Sequence, residues 1–256
     1  MTDAQTAKKK DFVEIKFSGY ANNQLFDSNI PEDLKTLAGE KAKPEKTIIC
    51  IGERMLVEGL DKQLEGKNLG KEYEIEVSSK EGFGDRNRNL LKIIPLKAFS
   101  EQKVHPQVGM MFTLDNSLVK VIAVSGARVT VDFNNPLAGK DLRYKITIVR
   151  KVEDTKEKTE TIFQFFFRFV PEFEVKDKII VKGPKILGQM ISPFNDKFKE
   201  LVGMELAFEE KLPEKNTVKE EEEEKEEEIS DNKEDEEENS EENIQEKETH
   251  SHHNNS

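Results

Sequence analysis

The sequence predicts an α+β protein. A sheet is arranged around one short helix and broken by a small all-β insert. A second small α+β unit and an acidic tail follow. Three observations carry this expectation. In Leu56–Gly84, Leu56, Leu60 and Leu64 recur every four residues, which sets them on one face of a helix of about two turns. Tyr73, Ile75 and Val77 then alternate with Glu74 and Glu76, and Gly82-Phe83-Gly84 sets an aromatic between two glycines. The pattern changes at Arg86–Asn89 and resumes at the turn cluster Asn134–Gly139. Finally, residues 213–256 carry 19 acidic and 5 basic residues, a net −14, within a chain whose total is −12.

Each element has its own signal. In Phe12–Tyr20, Val13, Ile15 and Phe17 alternate with polar residues, a strand. Asn22-Asn23 is a turn candidate, and extended chain resumes at Leu25–Ser28. Pro31–Lys46 is polar and reads as a loop with one helical turn. Thr47–Ile51 is a strand, Leu56–Leu64 the helix and Tyr73–Val77 the next strand. Within the insert, residues 90–133, the extended Leu91–Ile94 stops at Pro95, and Val108-Gly109 turns into Met110–Leu114. Leu118–Val124 and Ala127–Phe133 are strands joined by a hairpin at Ser125-Gly126. Leu142–Val149 sets Leu142, Tyr144, Ile146 and Ile148 on one face. It completes a discontinuous first domain, residues 11–89 plus 134–153.

A polar linker, Glu153–Lys158, leads to the second unit, residues 160–212. There Phe163, Phe165, Phe167 and Phe169 alternate through Thr161–Val170, which reads as a strand with an aromatic face. Lys178–Lys182 is another strand. Ser192 as N-cap with Pro193 at the first helical position starts a helix, and Met204–Phe208 is the last strand.

The totals exclude several classes. With the tail set aside, the body carries a net +2, so no nucleic-acid partner is expected. The tail, residues 213–256, repels itself and has little to bury, so it reads as disordered. Cys50 is the single cysteine. It forms no intrachain disulfide, fits a reducing compartment, and in its apolar run reads as a core residue. There is no apolar leader at Met1–Lys10 and no run of 18 apolar residues, so neither a signal peptide nor a membrane span is expected, and a cytoplasmic location follows.

Common catalytic motifs are absent: no P-loop, no dinucleotide fingerprint, no C-x-x-C and no H-E-x-x-H. His105 is the sole histidine outside the tail and has no Ser or Cys partner for a triad. His250, His252 and His253 lack supporting Cys or further His, so no metal and no cofactor are expected. What remains is an aromatic and aliphatic concavity: Phe17, Phe26, Leu56, Val57, Leu60, Phe83, Leu137 and Tyr144. Each of these also suits a core.

In company, these residues resemble a known family. Leu56-Val57-Glu58-Gly59-Leu60, Gly66 with Gly70, Gly82-Phe83-Gly84 and Pro136–Lys140 resemble the SlyD-like FKBP-type peptidyl-prolyl cis-trans isomerases, and more narrowly their long archaeal members. The likeness covers about Asp11–Val152, with Val131–Gly139 its most specific stretch. It implies an FKBP-like half-barrel antiparallel sheet around the short helix, with an insert-in-flap domain of chaperone activity. It also implies a C-terminal accessory domain that can serve as a homodimer interface.

By the same resemblance, Phe17 and Asp27 belong to the first strand pair at the pocket, where Asp27 is either a polar group near the twisted carbonyl or a strand-end residue capping backbone N–H groups. Leu56 and Val57 present the backbone that receives the substrate carbonyl, and Leu60 is the floor. Phe83 stands at a Tyr position and lacks its hydroxyl. Leu137 and Tyr144 complete the wall, and Asn135 stands where many relatives have His. Leu96, Phe99, Met110, Met111, Phe112 and Val119 of the insert are both core and client-binding candidates. The expected partners are unfolded or proline-containing polypeptides. The expected activity is Xaa-Pro isomerisation by desolvation and twisted-amide binding. The alternative is a holdase with a weak or inactive pocket, and a weaker third idea is an assembly scaffold.

Overall fold

The computed structural model describes residues 5–211 apart from residue 115. The expected acidic tail, its terminal histidines and Leu212 lie outside the described residues.

The first sheet is antiparallel. Strand β1 (Phe12–Ala21) pairs with β2 (Gln24–Ser28) along its second half and with β3 (Thr47–Cys50) along its first half. On its other side β1 pairs with β9 (Leu142–Lys151), and β9 pairs with β4 (Glu72–Val77). The two-residue alternation decides the faces. Val13, Ile15, Tyr144, Ile146, Ile148 and Ile75 form a core with Leu60 and Leu64 of helix α2 (Glu58–Leu64). Helix α2 approaches β4 closely because Gly59 has no side chain: a Cβ there would lie 2.7 Å from Val77 Cγ1. Helix α2 starts at Glu58, so Leu56 belongs to the preceding loop rather than to the expected helical stripe. Helix α1 (Pro31–Ala38) replaces the first half of the expected loop. Proline at its first position starts it, and Asp33 ties it to the sheet by accepting from the Ser18 and Ser28 hydroxyls.

The insert is a four-stranded sheet in the order β5 (Leu91–Pro95), β8 (Arg128–Asp132), β7 (Ser117–Ser125), β6 (Met111–Leu114). It is not wholly β. Helix α3 (Leu96–Glu101) crosses one face and seats Phe99 on Val121, Val129 and Val131. The hairpin turns at Gly126-Ala127, since Ser125 pairs with Arg128. Gly126 holds φ 55°, which suits glycine.

The second unit differs from expectation. Thr161–Val170 is not a strand. Most of it lies in helix α4 (Thr155–Phe167), which also takes up the expected linker. Ile162, Phe163, Phe166 and Phe167 follow helical spacing and face the unit's core, and Asp154 caps the helix by accepting from the Glu157 N–H at 2.8 Å. Strands β10 (Glu172–Val175), β11 (Ile179–Gly183) and β12 (Leu206–Glu210) form a sheet in which β11 and β12 are parallel. The connection between them is α5 (Lys185–Ile191), a 3₁₀ turn at Ser192–Phe194, and α6 (Asn195–Leu201). Ser192 makes no capping hydrogen bond, and helical backbone already precedes it, so the expected start at Ser192-Pro193 is a junction between two short helices. This unit shares its core with the outer side of the first sheet, through Phe12, Cys50 and Val152. Burial is the main reason the Cys50 thiol is pushed up to about 12, which leaves it inert.

Candidate active site

Elements far apart in sequence meet beside the start of α2. Gly19 of β1 is opposite Tyr144 of β9. A Cβ at Gly19 would stand 2.9 Å from Phe26 Cζ and 3.0 Å from Tyr144 Cε1, so the absent side chain makes the room in which the rings meet. Phe26 packs edge-on to Tyr144 with centroids 5.9 Å apart, and edge-on to Phe83 at 6.4 Å. This is the arrangement that ring quadrupoles favour.

Leu56 and Val57 arrive on a loop fixed from below. Asp61 of α2 is 4% exposed and accepts from the Gly52 N–H at 2.9 Å and the Arg54 N–H at 3.0 Å. The Val57 carbonyl accepts from the Leu60 and Asp61 N–H groups and so opens the helix. Asn135 Oδ1 accepts from the Leu137 N–H at 2.8 Å, a local turn that fixes the backbone of Leu137. Gly139 donates to the Gly84 carbonyl at 2.7 Å and holds this turn against the Phe83 turn.

Phe17, Leu56, Val57, Phe83 and Leu137 are half-buried and pack on the core that contains Leu60 and Tyr144. Leu60 is 1% exposed and lies beneath the surface. Asp27, on β2 opposite Gly19, keeps an exposed outer surface. Its carboxyl is nevertheless raised above the ordinary value, because partial exclusion of water outweighs the hydrogen bond from the Ser28 N–H. Tyr144 is pushed up to about 12, first by burial and then by the negative charge of Asp27, so these two groups share one field. Phe26 belongs to the sequence-read concavity but not to the expected site set, yet it is the ring that both others touch. No local sequence pattern singles it out, because its contacts cross the sheet.

A cleft of about 560 Å³ opens between the first sheet and α4. Phe17 and Leu56 line one wall, with Ile48, Ile49 and Met55, and α4 lines the other. Nothing in the sequence indicated this wall, because it depends on how the second unit docks.

In the insert, Val119 and Phe99 are 1% and 7% exposed, and Leu96, Met110 and Phe112 pack against the same small core. Phe99 and Val119 therefore cannot touch a client without the unit opening. Of the six expected contact residues, Met111 alone is classed as exposed, with Ile93, Val108 and Leu118 as further exposed apolar side chains.

Such a site, a cluster of aromatic rings beside a short helix in an antiparallel sheet, defines a class that comparison with known proteins identifies. Residues 3–101 match the model of the FKBP-type peptidyl-prolyl cis-trans isomerases, and residues 92–137 match that of the FKBP26 IF domain. These matches give the chain an FKBP-type peptidyl-prolyl cis-trans isomerase domain and an insert-in-flap domain. It is 29% identical over 143 residues to the short-type peptidyl-prolyl cis-trans isomerase of Methanocaldococcus jannaschii, covering 55% of this chain and 91% of that protein. It is 36% identical over 111 residues to SlyD of Haemophilus influenzae and 31% over 110 to SlyD of Escherichia coli, each match covering 41% of this chain. It spans little more than half the length of these two SlyD proteins, 57% and 56%.

Proposed function

We propose that the protein accelerates rotation about Xaa-Pro bonds in unfolded or partly folded polypeptides, and that its insert holds those polypeptides beside the site. The observation that carries this reading is the meeting of Phe26, Phe83 and Tyr144 over Leu60, with Asp27 at the rim. Rings and aliphatic groups supply most of the surface, and the reaction needs no nucleophile. Rotation about an amide is opposed by a barrier of about 18–20 kcal/mol that comes from its resonance. Water stabilises the planar, charge-separated form. An apolar hollow withdraws that solvation and binds the twisted amide better than either planar isomer.

Phe17, Leu56, Phe83, Leu137 and Tyr144 surround the proline ring in this reading, above Leu60. The Val57 N–H, which has no protein acceptor among the described residues, receives the carbonyl before the proline. Asp27 orients the twisted amide through its charge. The exposed Ile93, Met111 and Leu118 offer an apolar face to clients. The same face supports a second reading, a holdase with little turnover. Ile186 and Met190, exposed one turn apart on α5, support self-association of the second unit; sedimentation of an Ile186→Glu variant as a lighter species than the parent is the expected outcome.

A proline-peptide isomerisation assay decides between the first two readings. Phe83→Ala is expected to lower kcat/KM about tenfold. No turnover by the parent chain would leave only the holdase. Replacing residues 90–132 by a short linker is expected to spare short peptides and to slow catalysis of a proline-limited refolding reaction. An equal loss on both substrates would remove the role given to the insert.

A further inference from the structure

The cleft between β3 and α4 is bounded largely by parts of the chain with no assigned role. One wall is the far edge of β3. The Ile51 N–H donates to the Asp11 carbonyl at 3.0 Å while Cys50 pairs with Phe12. In an antiparallel ladder this makes Cys50 a residue whose peptide groups point away from β1, and by alternation Ile48 is another. The Cys50 N–H accordingly goes to Met55 Sδ at 3.2 Å. The Ile48 N–H and carbonyl have no partner among the described residues, and Ile48 lines the cleft. An open strand edge is a template for another extended backbone.

The facing wall is α4. Glu157, Thr161, Gln164 and Arg168 recur at helical spacing along it. At one end Glu157 is neutralised by Lys46 and Arg150. At the other, Arg168 makes no ion pair among the described residues. Eleven residues of helix span about 16 Å, the reach of about five residues of extended chain. Phe17 and Leu56 line this cleft and also pack on the core that holds Tyr144 and Leu60, so the cleft adjoins the residues given to the proline site.

We propose that the cleft between β3 and α4 is a client subsite: it holds an extended segment of the same polypeptide whose proline occupies the aromatic site. The segment runs along the open edge of β3, with apolar side chains toward Ile49 and Phe165. This rests on the isomerase reading and extends it, because the second unit then takes part in substrate recognition.

The test uses the full chain and two labelled peptides, a proline-containing tetrapeptide and the same sequence lengthened by about six apolar and polar residues on each side. The parent is expected to show a KM at least about fivefold lower for the longer peptide. Gln164→Trp, at an exposed helix position, fills the cleft and is expected to raise the longer peptide's KM about tenfold more than the tetrapeptide's, with kcat unmoved. Gln164→Ala keeps the cleft open and is expected to retain the gain. No benefit of length in the parent, or an equal effect of Gln164→Trp on both peptides, overturns the subsite. If the parent turns over neither peptide, the isomerase reading fails by itself. Fluorescence anisotropy of the longer peptide with the parent and Gln164→Trp then still decides whether the cleft binds extended chain, and equal affinities would reject it.

Discussion

At Asp27 a carboxylate sits where water is partly withdrawn, and its proton affinity rises. The sign of the linkage follows. A carboxyl whose folded pKa exceeds its unfolded value costs the folded state stability above that folded pKa, and the cost fades as pH falls below the unfolded value. Asp27→Asn is therefore expected to raise the urea midpoint slightly near neutral pH and to leave it unchanged at about pH 3. The effect stays small because the residue keeps much of its surface in water. A variant less stable than the parent at neutral pH would mean that the hydrogen bond from the Ser28 N–H outweighs desolvation.

Helix α4 shows what one element depends on. Its start is fixed by Asp154, which accepts from Glu157, and Asp154→Ala is expected to cost about 1 kcal/mol in a denaturation curve. The same helix marks the limit of reading sequence alone. Phenylalanines at 163, 165, 167 and 169 suggest a strand, while Ile162, Phe163, Phe166 and Phe167 fit a helix equally well. In a run this aromatic neither period wins without Asp154 and Glu157 as start signals. Strands β1 and β9 were legible because each has a polar face that makes the two-residue period unambiguous. The candidate site's aromatic cluster was legible in part. Leu56, Val57, Phe83 and Tyr144 stand out through their glycine and turn contexts. The central role of Phe26 comes from ring contacts across the sheet, and the α4 wall comes from docking between units, neither of which a local pattern encodes.

For the molecule as a whole, the core shared by Phe12, Cys50 and Val152 makes the second unit a cover for the first sheet. Lys197 to Glu53 at 2.6 Å and Lys10 to Glu200 at 2.9 Å cross the same boundary. A chain ending at Glu153 uncovers those three side chains and is expected to lose on the order of 4 kcal/mol, seen as a lower melting temperature and binding of an apolar dye. An unchanged melting temperature would show that the two units fold independently. The insert stands in a different relation to its host. Its first and last strands are neighbours, with Leu91 opposite Asp132. Asn134 clasps the crossing by accepting from the Asn87 N–H at 2.8 Å and donating to the Asn87 carbonyl at 3.1 Å. Once the insert has folded, about forty residues of slack collapse to a gap of roughly one strand spacing. The host must later bring β4 and β9 together across that interval. An insert that forms early would thus shorten the search its host has to make.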